Sequence, residues 1–132
     1  MKEILDRILT EEEEGGEIFR FNDLVFRLAG RTEGKIPHLH FNNRTNTRFG
    51  AIRLDINSYF PHGGKYADKL NKKENILFNT FMTKKVFESI AETWNKQHPD
   101  GLKLNPKLKP NYSVIIMPNL QPNGKLAKGD RK

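Results

Sequence analysis

The chain of 132 residues contains no cysteine and a single tryptophan. The lack of cysteine excludes disulfides, iron–sulfur clusters, thiolate zinc sites and cysteine nucleophiles together, and it favours the cytoplasm as the setting. No stretch approaches the roughly 20 apolar residues that a membrane span needs. The first residues, Met1 to Asp6, also lack the basic start and apolar run of a signal peptide. We therefore expect a cytoplasmic protein without membrane contact.

Acidic residues become scarce after the first quarter of the chain. Residues 1–34 contain 5 Lys/Arg and 9 Asp/Glu, and residues 35–132 contain 18 and 7, so the formal charges are −4 and +11. The positive excess of residues 35–132 attracts polyanions such as nucleic acids. The chain has no complete catalytic signature and no cofactor-binding motif, so we expect no cofactor.

Apolar periodicity predicts an α+β fold, in which an antiparallel sheet of four to five strands is packed on one face by two helices. The predicted strands are 18–21, 24–28, 36–41 and 49–56. The predicted helices start after Asn71, which forms a capping box with Glu74, and after Thr83. A short N-terminal helix is also predicted over 2–13, from the stripe of Ile4, Leu5, Ile8 and Leu9.

Composition divides the chain into a single α+β domain, 1–101, and a basic extension rich in Pro and Asn, 102–132. Within the extension, Tyr112–Met117 is predicted to be an edge strand because Pro110 and Pro118 flank it. Such an edge could add to the sheet of a partner protein. We expect the end of the chain, from Asn119, to be disordered.

Two of the four histidines lie two residues apart in a predicted strand, as Pro37-His38-Leu39-His40. Both imidazoles therefore leave the same face, with Cβ atoms about 6.5–7 Å apart, and they face outward if the intervening Leu39 faces the core. With His62 or Asp55 they could hold a metal ion or act as acid and base. The other interpretation is a pair of surface histidines without chemistry.

Basic side chains recur beside aromatic ones, which is typical of surfaces that hold nucleic-acid backbones and stack on bases. The candidate contact residues are Arg44, Arg48, Lys65, Tyr66, Lys72, Lys73, Lys84, Lys85, Lys103, Lys107 and Lys109. The other interpretation of these lysines is a solvated surface.

The Pro37–His40 motif is followed by the strand Ala51–Asp55, a loop containing glycines, and Trp94-x-x-x-His98. In this order the chain resembles, over roughly residues 17–98, a family of small uncharacterised bacterial and phage proteins with a Pro-His-x-His strand. Those proteins are often encoded beside a small partner, in the manner of toxin–antitoxin pairs. The resemblance implies a mobile-element setting, in which small proteins block host machines such as restriction or CRISPR effectors.

The favoured hypothesis is a non-enzymatic binding protein of bacterial or phage origin that engages nucleic acid or a nucleoprotein, as an inhibitor of a host defence machine such as a CRISPR effector. The alternative is a toxin-like nuclease, metal-dependent or of general acid–base type, that uses His38, His40 and His62 with Asp55.

Overall fold

The computed structural model describes residues 7–8, 18–61 and 66–118. One antiparallel sheet contains five strands, each paired with its neighbours in sequence: β1 (Arg7–Ile8), β2 (Ile18–Phe21), β3 (Leu24–Leu28), β4 (His38–Asn43) and β5 (Phe49–Arg53). Two helices follow, α1 (Lys72–Phe81) and α2 (Lys84–Gln97). The predicted α+β class is confirmed. Neither helix is long and apolar enough to cross a membrane, and no other helix occurs in these ranges.

The predicted N-terminal helix is wrong at residues 7–8, which form β1 and pair antiparallel with Ile18 and Phe19 of β2. The remainder of that prediction lies outside the described residues. Four glutamates at the C-terminal end oppose the dipole of a helix over 2–13. The free edge of β2, by contrast, offers backbone partners to an apolar stretch.

The strands form where alternation and turn signals agree. The β2–β3 hairpin turns at Asn22, whose φ of 57° is a left-handed conformation that asparagine tolerates. β4 begins at His38, two residues later than predicted, because Pro37 has no N–H to donate. β5 ends at Arg53, three residues before the predicted end.

Phenylalanine side chains join the sheet to the helices. The Phe26 ring stacks on Phe81 of α1 with centroids 4.6 Å apart, and it lies 5.6 Å from the ring of Phe78. Phe41 reaches over Gly50 of the neighbouring strand, where an added Cβ would come within 2.3 Å of its ring. A side chain larger than hydrogen is therefore excluded at position 50. These contacts bury one sheet face under the helices.

The helix starts agree with the predicted caps. The side chain of Asn71 accepts from the backbone N–H of Glu74, whose carboxylate accepts from the N–H of Asn71, both at 2.8 Å. The Thr83 hydroxyl accepts from the N–H of Val86. Each cap satisfies amides that a helix start leaves without partners.

Residues 102–118 pack on the same core. Leu104 and Tyr112 are buried, and the Tyr112 hydroxyl donates to the carbonyl oxygen of Leu54 at 2.9 Å. The predicted edge strand 112–117 is not formed, since Ile116 alone makes a bridge, parallel to Ser58. Residues 112–113 form a turn and Val114 a bend, so the extended part begins only at Ile115 and Pro118 ends it after a single bridge.

Candidate functional site

The two histidines of β4 lie on the sheet face opposite the helices, and their rings meet edge to face with centroids 4.8 Å apart. The two histidines share one face, as predicted. This face points away from the helices, but both rings are shielded from solvent. His38 is 0% and His40 3% exposed. The connection after β5 covers them, with Phe60 4.6 Å from the His38 ring and Tyr66 4.3 Å from the His40 ring.

Glu33, in the turn between β3 and β4, joins His40 to Arg27 of β3. The guanidinium donates to both carboxylate oxygens, at 2.6 and 3.0 Å, and the backbone N–H of Gly30 donates to one of them at 2.6 Å. His40 Nε2 lies 3.4 Å from Glu33 Oε2. We name Arg27, Glu33, His38, His40 and Tyr66 the histidine cluster.

The electrostatics of the histidine cluster favour an ionised Glu33. Burial disfavours its charged form, but hydrogen bonds from His40, Arg27 and Gly30, together with the Arg27 charge, hold the pKa of Glu33 far below its usual range. Burial also disfavours the charged form of Arg27. Hydrogen bonds to Glu33 and Tyr66 outweigh this effect of burial and raise the pKa of Arg27. The opposite charges of Arg27 and Glu33 therefore cancel, and this ion pair lies beside the two imidazoles of the cluster.

The other predicted members of a histidine site are not brought together. Asp55 accepts two hydrogen bonds from Arg53, at 2.9 and 2.6 Å. Within the described ranges, no three His, Cys, Asp or Glu side chains could hold a metal ion, so Asp55 does not complete a ligand set with His38 and His40. His62 lies outside the described residues, as does Lys65.

His98 has a structural place at the end of α2. Its ring stacks on the Trp94 ring with centroids 3.4 Å apart and is buried. Its Nε2 lies 2.8 Å from the carbonyl oxygen of Gly30, and its Nδ1 lies 3.1 Å from that of Trp94. This histidine therefore links α2 to the turn that holds Glu33.

The two candidate arginines serve intramolecular contacts. Arg44 donates through Nε to the carbonyl oxygen of Asn22 at 2.8 Å, which ties two turns together. Arg48 donates to Glu74 Oε1 at 2.8 Å and to the carbonyl oxygen of Lys69. Arg48 therefore fixes the start of α1 to the sheet.

Two candidate lysines also have partners within the chain. Lys103 Nζ lies 3.2 Å from the carbonyl oxygens of His98 and Pro99, where it supports the C-terminal end of α2. Lys107 donates to Glu88 at 2.9 Å, and this contact raises the pKa of Lys107.

The remaining candidate lysines occupy the first turns of the two helices. Lys72 and Lys73 begin α1, and Lys84 and Lys85 begin α2. All four side chains are exposed, and none forms an ion pair with a carboxylate in residues 18–61 or 66–118. Ile76 and Thr80 are exposed between the two pairs. We name the surface formed by Lys72, Lys73, Ile76, Thr80, Lys84 and Lys85 the α1 face.

Lys109 extends this positive charge beyond the start of α2. Burial and the nearby Lys84 lower the pKa of Lys109. Its Nζ lies 5.3 Å from the centre of the Tyr112 ring and donates to the carbonyl oxygen of Pro110 at 3.1 Å. Two like charges are thus held close together at one end of the α1 face.

Sequence reasoning did not identify Glu33 or Arg27 as partners of the histidines. The signal for Arg27 was its alternation in a predicted strand, because this side chain shares the sheet face of His40, its paired residue on β4. Glu33 carried no periodic signal, since its position depends on the turn from Gly30 to Gly34.

No protein-family model, no curated protein and no solved structure matches this chain.

Proposed function

We propose that this chain is a non-enzymatic binding protein that holds the phosphate backbone of a nucleic acid, free or within a nucleoprotein, on the α1 face. The observation that carries the proposal is the exposure of four lysines, without carboxylate partners in the described ranges, in the first turns of two helices. Other charges nearby are already paired, as Arg48 is with Glu74 and Lys107 with Glu88.

The position of these lysines is unfavourable for the isolated protein. The N-terminal end of a helix carries partial positive charge, so a cation there costs about 0.3–1 kcal/mol. The first turn of α2 contains no acidic residue to offset this cost. Phosphate groups would offset it, because they complement both the ammonium groups and the free helix amides.

The dimensions of the α1 face suit a sequence-independent contact. α1 has 10 residues and is therefore about 15 Å long at 1.5 Å per residue, with one lysine pair at its start and the other just past its end, at the start of α2. Several successive phosphates span this distance. Because Ile76 and Thr80 separate the pairs, the surface offers charge at both ends and little hydrogen-bonding readout of bases between them.

The biological setting is proposed from the resemblance of the Pro37–His40 strand to small bacterial and phage proteins. In such a setting, a cytoplasmic protein with this α1 face would occupy the nucleic-acid path of a host defence nucleoprotein, such as a CRISPR effector, and so inhibit it. The positive charge of residues 35–132 supports this role, since it speeds the encounter with a polyanionic target.

The test is a salt titration of binding to labelled single-stranded and double-stranded oligonucleotides of mixed sequence, followed by fluorescence anisotropy. A variant with Gln at Lys72, Lys73, Lys84 and Lys85 should lose at least tenfold in affinity at low salt. The slope of log affinity against log salt should become shallower by about 3 to 4, as expected when four phosphate contacts are removed. Its fold should be retained, because removing cations from helix starts is favourable.

The matched control changes Arg20, Arg31, Lys35 and Lys96 to Gln, which removes the same charge from exposed positions away from the α1 face. Its affinity should remain within about threefold of the wild type. Absence of binding by the wild type at low salt, or equal losses in the two variants, would overturn the proposal.

A second candidate, a general acid–base nuclease, is favoured by the contact between Glu33 and His40, because a carboxylate beside an imidazole is the usual way to orient a catalytic base. Substrate could reach His40 only after Tyr66 moved from its ring. Cleavage of the same oligonucleotides by the wild type, lost in His40→Ala, would replace the binding proposal with this one.

A further inference from the structure

The extended stretch 115–117 has one side of its backbone bonded and the other side open. The N–H of Ile116 donates to the carbonyl oxygen of Asn57 at 3.0 Å, and its carbonyl oxygen accepts from Tyr59 at 2.9 Å. Because successive residues of an extended chain direct these groups to opposite sides, those of Ile115 and Met117 point away from the sheet. They make no hydrogen bond to any residue in the described ranges.

The side chains beside this open edge are aliphatic and exposed. Val114 is 67% and Ile116 57% exposed, while the alternate residues Ile115 and Met117 pack against the core. Ile76 of α1 is also exposed. Exposed β-branched residues beside an unpaired backbone edge are typical of a site where another strand can add.

A groove of about 390 Å³ lies next to the edge, between the start of α1 and residues 113–115. Its apolar lining comes from Tyr59, Leu70, Ile76 and Ile115. Its polar lining includes Lys69 and Lys72, together with Asn71, Asn75 and Ser113, and no carboxylate of the described residues lines it. The groove can therefore take an aliphatic side chain from an extended chain that carries negative charge two residues away, on the same face.

We propose that this edge and groove bind an extended segment of an acidic partner protein, which adds as a strand beside Ile115 and Met117. The partner's backbone would bond to the open N–H and C=O groups, an aliphatic side chain would enter the groove, and a carboxylate two residues along, on the same face, would meet Lys69 and Lys72. This inference rests on the open edge and not on the proposed nucleic-acid binding, although the groove shares Lys72 and Ile76 with the α1 face.

Two observations favour an acidic peptide over other occupants. Among the described residues, the exposed groups beside the edge are aliphatic and none is an aromatic ring, whereas single-stranded nucleic acids are held by stacking on aromatic side chains. A second copy of this chain would bring a second Lys69 and Lys72 to the same edge, so like charges would oppose that pairing.

The test uses as the probe a labelled nonapeptide with a central valine, a glutamate two residues to either side of it and threonine elsewhere, so that the valine and both glutamates share one face. Control peptides replace the glutamates with lysine, or replace the central valine with proline, which removes a backbone N–H. Amide chemical shifts of the full-length protein should move at Val114, Ile115 and Met117 with the glutamate peptide, and the two controls should bind at least tenfold more weakly.

A charge reversal, Lys69→Glu with Lys72→Glu, should weaken the glutamate peptide at least tenfold and strengthen the lysine peptide. The matched control, Lys35→Glu with Lys96→Glu, should leave both affinities within about threefold, because these exposed lysines lie outside the groove. Removing Lys84 and Lys85 should not affect the peptide, which separates this inference from the proposed function.

No peptide binding, equal binding of the proline peptide, or shifts confined to the region of Lys84 would overturn the inference. A mixed-sequence oligonucleotide that moved the Ile115 and Met117 amides more than the glutamate peptide did would also overturn it, and would assign the groove to nucleic acid.

Discussion

Glu33 is the residue on which the histidine side of the sheet depends. Its carboxylate receives hydrogen bonds from Arg27 and from the Gly30 backbone, and it contacts His40 on the next strand. Hydrogen bonds to charged groups contribute about 1.5–3 kcal/mol when they are shielded from water. One side chain thus fixes a turn to two strands.

We expect Glu33→Gln to lower the free energy of unfolding by about 2 kcal/mol at pH 7, because Arg27 keeps its charge and loses its counter-ion. The pKa of Glu33 is depressed in the folded state. The ionised Glu33 therefore contributes its full stability above the pKa of the unfolded state, near 4.5, and this contribution declines as the pH falls below that value. Urea unfolding at pH 7 and pH 3 measures both effects.

The control is Glu92→Gln, at an exposed position of α2, which should change stability by less than about 0.5 kcal/mol. A difference between wild type and Glu33→Gln that is the same at pH 7 and pH 3 would contradict the linkage.

Among the elements, α1 is stabilised both by the cap at its own start and by a contact with the sheet. Glu74 completes the capping box with Asn71 and also accepts from Arg48, which follows β4 in the chain. The helix start and its attachment to the sheet therefore share one carboxylate.

We expect Asn71→Ala to cost about 1 kcal/mol, because the amide of Glu74 loses its acceptor. Asn71→Gly should cost only a few tenths, since water can reach the freed amide of a glycine-capped helix. Thermal and urea unfolding of the two variants measure the difference. Equal losses would show that the cap contributes nothing specific.

Elements with local signals could be predicted from the sequence, and those defined by distant partners could not. The hairpin β2–β3 and the starts of both helices followed from alternation, Asn22 and the caps Asn71 and Thr83. The strand at Arg7–Ile8 could not be predicted, because an apolar stripe there fits a helix as well and only the edge of β2 decides between them.

For the whole molecule, residues 102–118 are part of the domain they follow. Asn95 of α2 exchanges hydrogen bonds with the backbone of Leu104, and the Trp94 indole donates to the carbonyl oxygen of Leu102 at 2.7 Å. The Tyr112 ring meets Phe78 of α1. A core boundary at residue 101 would leave α2 partly uncovered.

We expect Leu104→Ala to lower the free energy of unfolding by about 2–3 kcal/mol, because a buried side chain leaves a cavity. Leu108→Ala, four residues later at an exposed position, should cost less than about 0.5 kcal/mol. Urea denaturation measures both. Similar losses at the two positions would mean that the segment does not share the core.

The histidine side of the sheet was predictable only in part. Strand alternation places His38 and His40 on one face, but no local pattern predicts that Phe60 and Tyr66 pack over them. The lysines were visible in the sequence as charges. Which of them are already engaged, as Lys107 is by Glu88, depends on contacts between distant residues.

The strand order has a consequence for the newly made chain. Because each strand pairs with its sequence neighbours, the sheet can assemble stepwise as synthesis proceeds, in the order β1 to β5. Its phenylalanine face stays bare until Phe78 and Phe81 have been made, and Tyr112 arrives later still. The nascent sheet is therefore the stage at which a chaperone would be needed most.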